Sequence, residues 1–584
     1  MGDTTDTLKA AWPVLKGALA RGQLFKPQCR LVDPDPDIHC DYDVQVPMAD
    51  GYALTANIFR SKARMAAGTS DPVIMCAHPY DNHLTPALGK TPLKGPPQQY
   101  RLINQQEGIP QFSTLTSWES PDPDFWVPAG YTLVNVNLPG YANSGGPPSS
   151  FTPHQGDAYR QAIAWVGEQT WCTGAVGLCG VSYLAISQYF AAGAPDGEEA
   201  PHALKCICPW EGLSNMYHDA VSIGGVDDQK FLPFWWHTEV KESLNDLDAY
   251  IAMEGSIASE FIKHRPLYDE HWAKKTALLS DIKVPMLVCA SFSDHELHSF
   301  GSARAFEEAS SVQKWMYTHR TGKWVSFYSD EAKALMKEFM DHFLKGEPNG
   351  FDRRPAVRLE VRSSKNEIHE VRWEDSWPLP QTDDQELYLS KRKLNTAAPQ
   401  NQGEVSYDAL KGRLTFDHKF DQDTEISGYI RLDAYVEVRA KRKGDPQPDD
   451  MVLCAFIDKL GKNGKPLRFN GSIGNENDAV TRGYVRVSRR ALDEERSRPW
   501  RPEFQGDHVQ PLHKGEVVPI TIAFRPSSTF FAKGERLRLI LTPQDEFHSA
   551  AFCKDTSLNT GLHVIHCGGA FPSRLTIPVI PQKT

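Results

Sequence analysis

The sequence predicts an α/β protein with a mostly parallel sheet, a helical segment inserted into it, and an all-β C-terminal half. Three observations carry this. Between about residues 40 and 350, short apolar runs alternate with amphipathic helical patterns, which implies parallel strands covered on both faces. Residues 209–280 break that rhythm with aromatic, Asp- and Glu-rich helical stretches and no clear strand, and so read as a cap over the sheet. After about residue 350 the apolar period changes from helical to two, the pattern of a β-sandwich or jelly roll.

The elements follow in order. VQVPMADGYALTANIF sets Asp50-Gly51 between two strand-like stretches, a hairpin signal. VIMCA (73–77), YTLVNV (131–136), AVGLC (175–179), KCIC (205–208), VPMLVCA (284–290) and KWMYT (314–318) read as sheet strands. In DAYRQAIAWVGEQT, residues Ala158, Ala162, Ile163 and Val166 fall at helical spacing. In the β half, Ile430, Leu432, Ala434, Val436, Val438 and Ala440 alternate with polar neighbours, as do Leu537, Leu539 and Leu541. The expected units are an N-terminal helical extension (1–40), a catalytic domain (41–208 and 281–350), the inserted cap (209–280) and the β domain (351–584). Thr5 to Ala20 reads as an amphipathic docking helix.

Composition narrows the function. The 584 residues carry net charge −11 and 40% hydrophobic residues, which excludes a disordered chain and the basic field of a nucleic-acid binder. No apolar window is long enough to cross a membrane, and the N-terminus lacks the pattern of a signal peptide. Asp6 stands where a myristoylation signal needs Ser or Thr. Eleven cysteines, many inside apolar runs, read as buried free thiols and place the protein in the cytoplasm. The expected partner is a small-molecule substrate, with no nucleic acid and no membrane, and a homo-oligomer is left open.

The strongest chemical signal is VGLCGVSYLAISQYFAA. A strand running through Gly180-Val181-Ser182-Tyr183 into a helix sets Ser182 at a sharp elbow, its hydroxyl above the sheet edge. The competing reading is a serine that merely caps the helix.

The stretch Gln169-Thr170-Trp171-Cys172-Thr173-Gly174 with VGLCGVSYLA resembles the cocaine esterase / X-Pro dipeptidyl-peptidase family of serine hydrolases, in which α-amino-acid ester hydrolases also fall. VPMADGYAL, HPYDNH (78–83), AGYTLVNVNLPGYANSGG (129–146) and Asp157 extend the resemblance through the first half. Phe531-Ala532-Lys533-Gly534-Glu535-Arg536 and Pro572-Ser573-Arg574-Leu575 extend it through the second. It implies an α/β-hydrolase domain with a helical cap and a C-terminal jelly roll. Ala185 replaces the last glycine of the family elbow, and Asn137 stands where a family Asp is usual.

A serine hydroxyl needs an imidazole to take its proton and a carboxylate to orient that imidazole. Asp294 follows the strand VPMLVCA, where it reads equally well as a helix cap or as the acid, and the resemblance implies the acid. His319, at the end of KWMYTH, is the expected base, with His295 and His298 beside the acid as competitors. The Tyr183 amide is the expected first oxyanion donor, and the resemblance implies the Tyr80 hydroxyl as the second. Trp118, Trp126, Phe234 and Trp235 are the expected pocket wall, while Glu211, Asp227 and Asp228 are candidate holders of a substrate ammonium. No cofactor and no metal are called for. The expected activity is hydrolysis of a carboxylic ester or amide through an acyl-enzyme. Acyl transfer at the same site and X-Pro or α-amino-acid selectivity are the alternatives. Five catalytic groups in place argue against a non-catalytic binding relative.

Overall fold

Alternating residues on either side of Asp50-Gly51 build the first hairpin, with β1 (Ile38–Pro47) antiparallel to β2 (Ala53–Ser61). The computed structural model describes residues 29–86, 109–194, 199–472, 477–549 and 551–581. The docking helix expected over Thr5–Ala20 lies outside them. The described end of the expected N-terminal extension is extended rather than helical, since Arg30–Val32 pairs with Gln111–Ser113 and β1 starts at Ile38.

The apolar runs become β3 (Asp71–His78), β4 (Thr132–Asn137), β5 (Cys172–Val181), β6 (Leu204–Trp210), β7 (Met286–Cys289) and β8 (Lys314–Tyr317). Strand β2 pairs antiparallel with β4, and from there the order β4-β3-β5-β6-β7-β8 is parallel throughout. Both faces are covered, so these strands read as nearly continuous apolar runs. The helices α1 (Pro153–Gly167), α2 (Tyr183–Ala192), α3 (Ser299–Glu308) and α4 (Asp330–Lys345) pack on the sheet, and α4 ends at Gly346 with φ +69°.

Between β6 and β7 the chain forms short helical segments, among them Phe231–Trp235 and Leu247–Glu254, and one two-stranded ribbon. This is the cap. Beyond α4, β9 (Val357–Ser364) continues the catalytic sheet parallel to β8, and β10 (Glu367–Glu374) closes it antiparallel. The sheet therefore runs past residue 350, and the separate β core is built later in the chain. There Leu432, Ala434, Val436 and Val438 are buried, as are Leu537, Leu539 and Leu541. The strand Arg536–Thr542 pairs antiparallel with both Leu414–Lys419 and Val452–Leu460. All eleven cysteines are free, and only Cys40 and Cys553 are partly exposed. Among the described residues, no helix is long and apolar enough to cross a membrane.

Candidate active site

The C-terminal ends of β3, β5, β6, β7 and β8 meet under the cap, and the site is built there. Strand β5 gives way to α2 within one residue. Gly180 has φ +152°, and a Cβ on it would lie 2.6 Å from Leu184 Cβ, so only glycine fits. Ser182 sits at φ +59°, ψ −115°, an uncommon conformation for a residue with a side chain. Backbone bonds from Ser182 N to Trp210 O (3.1 Å) and from Val181 N to Glu119 O (3.2 Å) hold the turn. The extra methyl of Ala185 is tolerated because Gly212 faces it, where a Cβ would come within 3.0 Å.

The ring that meets the serine is His298. Its Nε2 lies 3.3 Å from Ser182 Oγ, and its Nδ1 lies 2.5 Å from Asp294 Oδ2. Asp294 and His298 share one turn: the amides of Leu297, His298 and Ser299 all approach the Asp294 carbonyl as the chain enters α3. Four-residue spacing puts the two side chains on one face. Burial opposes the charge on Asp294, but the Lys323 ammonium and His298 outweigh it and hold the carboxyl well below the usual carboxylate range. Lys323 Nζ is 3.2 Å from the same Asp294 oxygen.

His319, the expected base, is turned elsewhere. Its Nε2 meets Glu211 Oε1 at 2.9 Å, and its ring stacks over Trp210 with centroids 6.2 Å apart. The Thr321 amide donates to His319 Nδ1 at 3.2 Å, so Nε2 carries the proton and donates to Glu211. The loop after β8 thus spends its histidine on tying strand ends together, and the loop after β7 supplies the imidazole at the serine. Glu211, Cys289 and His319 bring ligand atoms within 4.8 Å of one another and could in principle hold a metal ion. Two of these atoms already pair with each other, His319 Nε2 with Glu211 Oε1 at 2.9 Å.

Tyr80 lies fully buried on the pocket wall, and the Trp235 indole donates to its oxygen at 3.2 Å. Burial pushes its phenol far above the ordinary value, so the hydroxyl keeps its proton and can donate it. Tyr183 opens α2, so its amide has no intrahelical acceptor. Its side chain is structural, donating to Gln155 Oε1 at 2.6 Å and accepting from Phe151 N. Asn137 fills the family Asp position as an amide, accepting from Asn82 N at 2.9 Å and donating to Thr55 Oγ1 at 3.0 Å.

The cleft above Ser182 is partly open to solvent and spans about 560 Å³ with that solvent included. Trp118, Phe234 and Trp235 line it as expected, joined by Phe151 and Phe231. Trp126 does not; it is buried in the core against Phe125 and Tyr131. None of the three candidate ammonium holders reaches the cleft. Glu211 is taken by His319, Asp227 by Arg489 and Asp228 by Lys554. Two other carboxylates line it, Glu119 and Glu239. Burial lifts Glu119 to about 8 and Glu239 to about 7, against the pull of Lys323. The Trp324 indole donates to Glu119 Oε1 at 2.9 Å. Glu119, Phe151 and Ser182 all have positive φ, so strained backbone rings this pocket.

The β domain grips the loop that carries the acid and the histidine. Arg525 Nε donates to His295 O at 3.0 Å, Ser472 N to Ser293 O at 2.9 Å, and Ser549 N to Glu296 Oε1 at 3.0 Å. Ala551, also from the β domain, lines the cleft itself.

Two family models match the chain. Residues 50–324 match the X-Pro dipeptidyl-peptidase (S15 family), and residues 349–576 match the X-Pro dipeptidyl-peptidase C-terminal non-catalytic domain. A CocE/NonD family hydrolase from Staphylococcus aureus superposes with TM-score 0.83 at 30% identity, covering 96% of this chain and 100% of that one. The chain belongs to the CocE/NonD, X-Pro dipeptidyl-peptidase S15 family of serine hydrolases. Cocaine esterase from Rhodococcus sp. (strain MB1 Bresler) is 23% identical, over 92% of this chain and 98% of its own. An α-amino acid ester hydrolase shares the fold, with TM-score 0.65 at 15% identity over 95% of this chain and 98% of that one. Within this family of enzymes the chain is a hydrolase of esters or amides with an α/β-hydrolase domain, a helical cap and a mostly β C-terminal domain.

Proposed function

We propose that this chain hydrolyses carboxylic esters or amides of apolar, aromatic-sized acyl groups through an acyl-enzyme on Ser182. The observation that carries the reading is the line from Ser182 Oγ to His298 Nε2 (3.3 Å) and from His298 Nδ1 to Asp294 (2.5 Å). Ser182 Oγ attacks the carbonyl carbon while its proton passes to His298 Nε2. Asp294 fixes the tautomer and stabilises the imidazolium. The Tyr80 hydroxyl and the Tyr183 amide donate to the oxyanion. The imidazolium then gives its proton to the leaving oxygen or nitrogen. Water, deprotonated by the same ring, releases the acid and restores Ser182.

Substrate class follows from the wall. Trp118, Phe151, Phe231, Phe234 and Trp235 give the cleft a mainly apolar, aromatic lining. Below about pH 7 the two pocket carboxyls are protonated, which favours a neutral acyl group. Free, mostly buried thiols support a cytoplasmic setting, and the β core is read as a jelly roll. A fluorophosphonate should label the wild-type serine and leave Ser182→Ala unlabelled. Equal labelling of both would remove Ser182 as the nucleophile.

A further inference from the structure

One charged group at the site has no part in the steps above. Lys323 is buried on the pocket wall, and its ammonium lies 3.2 Å from Asp294 Oδ2 and 3.2 Å from His298 Nδ1. An ammonium has donors only. His298 Nδ1 must hold its own proton to bridge to Asp294, so it offers Lys323 no lone pair. Lys323 therefore bonds the carboxylate and stands beside the ring as a bare positive charge. Whenever His298 is protonated, two cations share one carboxylate.

We infer that Lys323 is a positioning residue that divides Asp294 with His298, keeping the imidazole neutral into acid and making the transient imidazolium a stronger acid toward the leaving group. This rests on the assignment of Ser182, His298 and Asp294 above. The groups touching His298 are Asp294 on its own loop, Ser182 from the elbow and Lys323 from the short helix Lys323–Phe327 after β8, with the Glu211 charge at the end of β6 acting from further off. Glu119 and Glu239 complete the pocket wall. Burial and then the Lys323 charge push the His298 imidazole below its ordinary value, against the pull of Asp294 and Glu211. Burial opposes the charge on Lys323 itself, but the carboxylates around it, Asp294 foremost, outweigh it and raise its ammonium, so the charge persists at neutral pH.

The proton balance is simple. It leaves Ser182 Oγ for His298 Nε2 as the carbon–oxygen bond forms, and leaves Nε2 for the departing oxygen or nitrogen as the scissile bond breaks. A nearby cation disfavours the first transfer and favours the second. Poor leaving groups, which need the second transfer most, should gain most from Lys323.

The test is the pH dependence of Ser182 phosphonylation by a fluorophosphonate, which reads the base in the free enzyme without a substrate. The wild-type acid limb is expected below 6.5, the ordinary imidazole value. Lys323→Met should move it up by about one unit or more, while Lys323→Arg, which keeps the charge, should leave it low. Lys323→Met should also lose more kcat on an alkyl ester than on the matching nitrophenyl ester, a split that mere loosening of the fold would not produce. A wild-type limb at or above 6.5 overturns the proposal even if Lys323→Met does not fold. A folded Lys323→Met whose limb has not moved also overturns it. A His298→Gln protein that labels at the wild-type rate removes the base assignment, and this inference falls with it.

Discussion

Replacing Tyr80 by Phe removes one oxygen and its proton and leaves a ring of nearly the same shape. Two consequences can be separated. The oxyanion loses a donor, which elsewhere costs about 2.7–4 kcal/mol, or about 10²–10³ in kcat. The Trp235 indole, which donates to the Tyr80 oxygen at 3.2 Å, loses its acceptor, and one unmet buried donor costs about 1–3 kcal/mol of stability. The first cost falls on turnover and the second on folding. Steady-state kinetics on a neutral aromatic ester should show kcat down by about two to three orders of magnitude with KM little changed. Thermal unfolding should show a modestly lower midpoint. The acylated serine should still be detectable by mass spectrometry. A drop confined to KM, or wild-type kcat in a folded variant, would refute the argument that this phenol faces the oxyanion.

His319→Gln should fold less stably by about 2–3 kcal/mol, because the shorter amide leaves the buried Glu211 carboxylate poorly met, and its kcat should stay near wild type; urea unfolding and kinetics on the same sample check both. Glu239 and Glu119, pushed by burial to about 7 and about 8, are neutral in acid and ionise as pH rises through those values. KM for a neutral ester should therefore rise, and KM for a cationic ester fall, between pH 6 and 9, about one unit beyond the two values on either side; Glu239→Gln should remove the lower part of that transition, and identical profiles in both proteins would discard the idea.

The fold was legible because its signals are local and periodic. Asp50-Gly51 announced the first hairpin, and the apolar runs announced β3 through β8. The alternation at Leu432, Ala434 and Val436 announced the β core. The elbow was legible for the same reason: Gly180 and Ser182 are neighbours in sequence, and the strain they share is a property of one turn. The imidazole was not. His319 and His298 both follow sheet strands, and which ring faces Ser182 depends on where each loop turns. The signal that could have decided it is the four-residue spacing in Asp294-His295-Glu296-Leu297-His298, which places acid and ring on one face of a turn. Glu119 and Glu239 were hidden for a different reason. Glu119 comes from a turn before β4 and Glu239 from the cap's helical segment Trp236–Val240, and only the folded cap brings them to one pocket. Trp126 erred the other way, since an aromatic residue in a pocket-side loop looks the same in sequence whether it faces the pocket or the core.

The central claim is that the ring serving Ser182 comes from the loop after β7. It is tested most directly by measuring the rate of Ser182 phosphonylation side by side in His298→Gln and His319→Gln, both shown to be folded. The account predicts a loss of about 10²–10⁴-fold in the first and near-normal labelling in the second. The reverse order would contradict it.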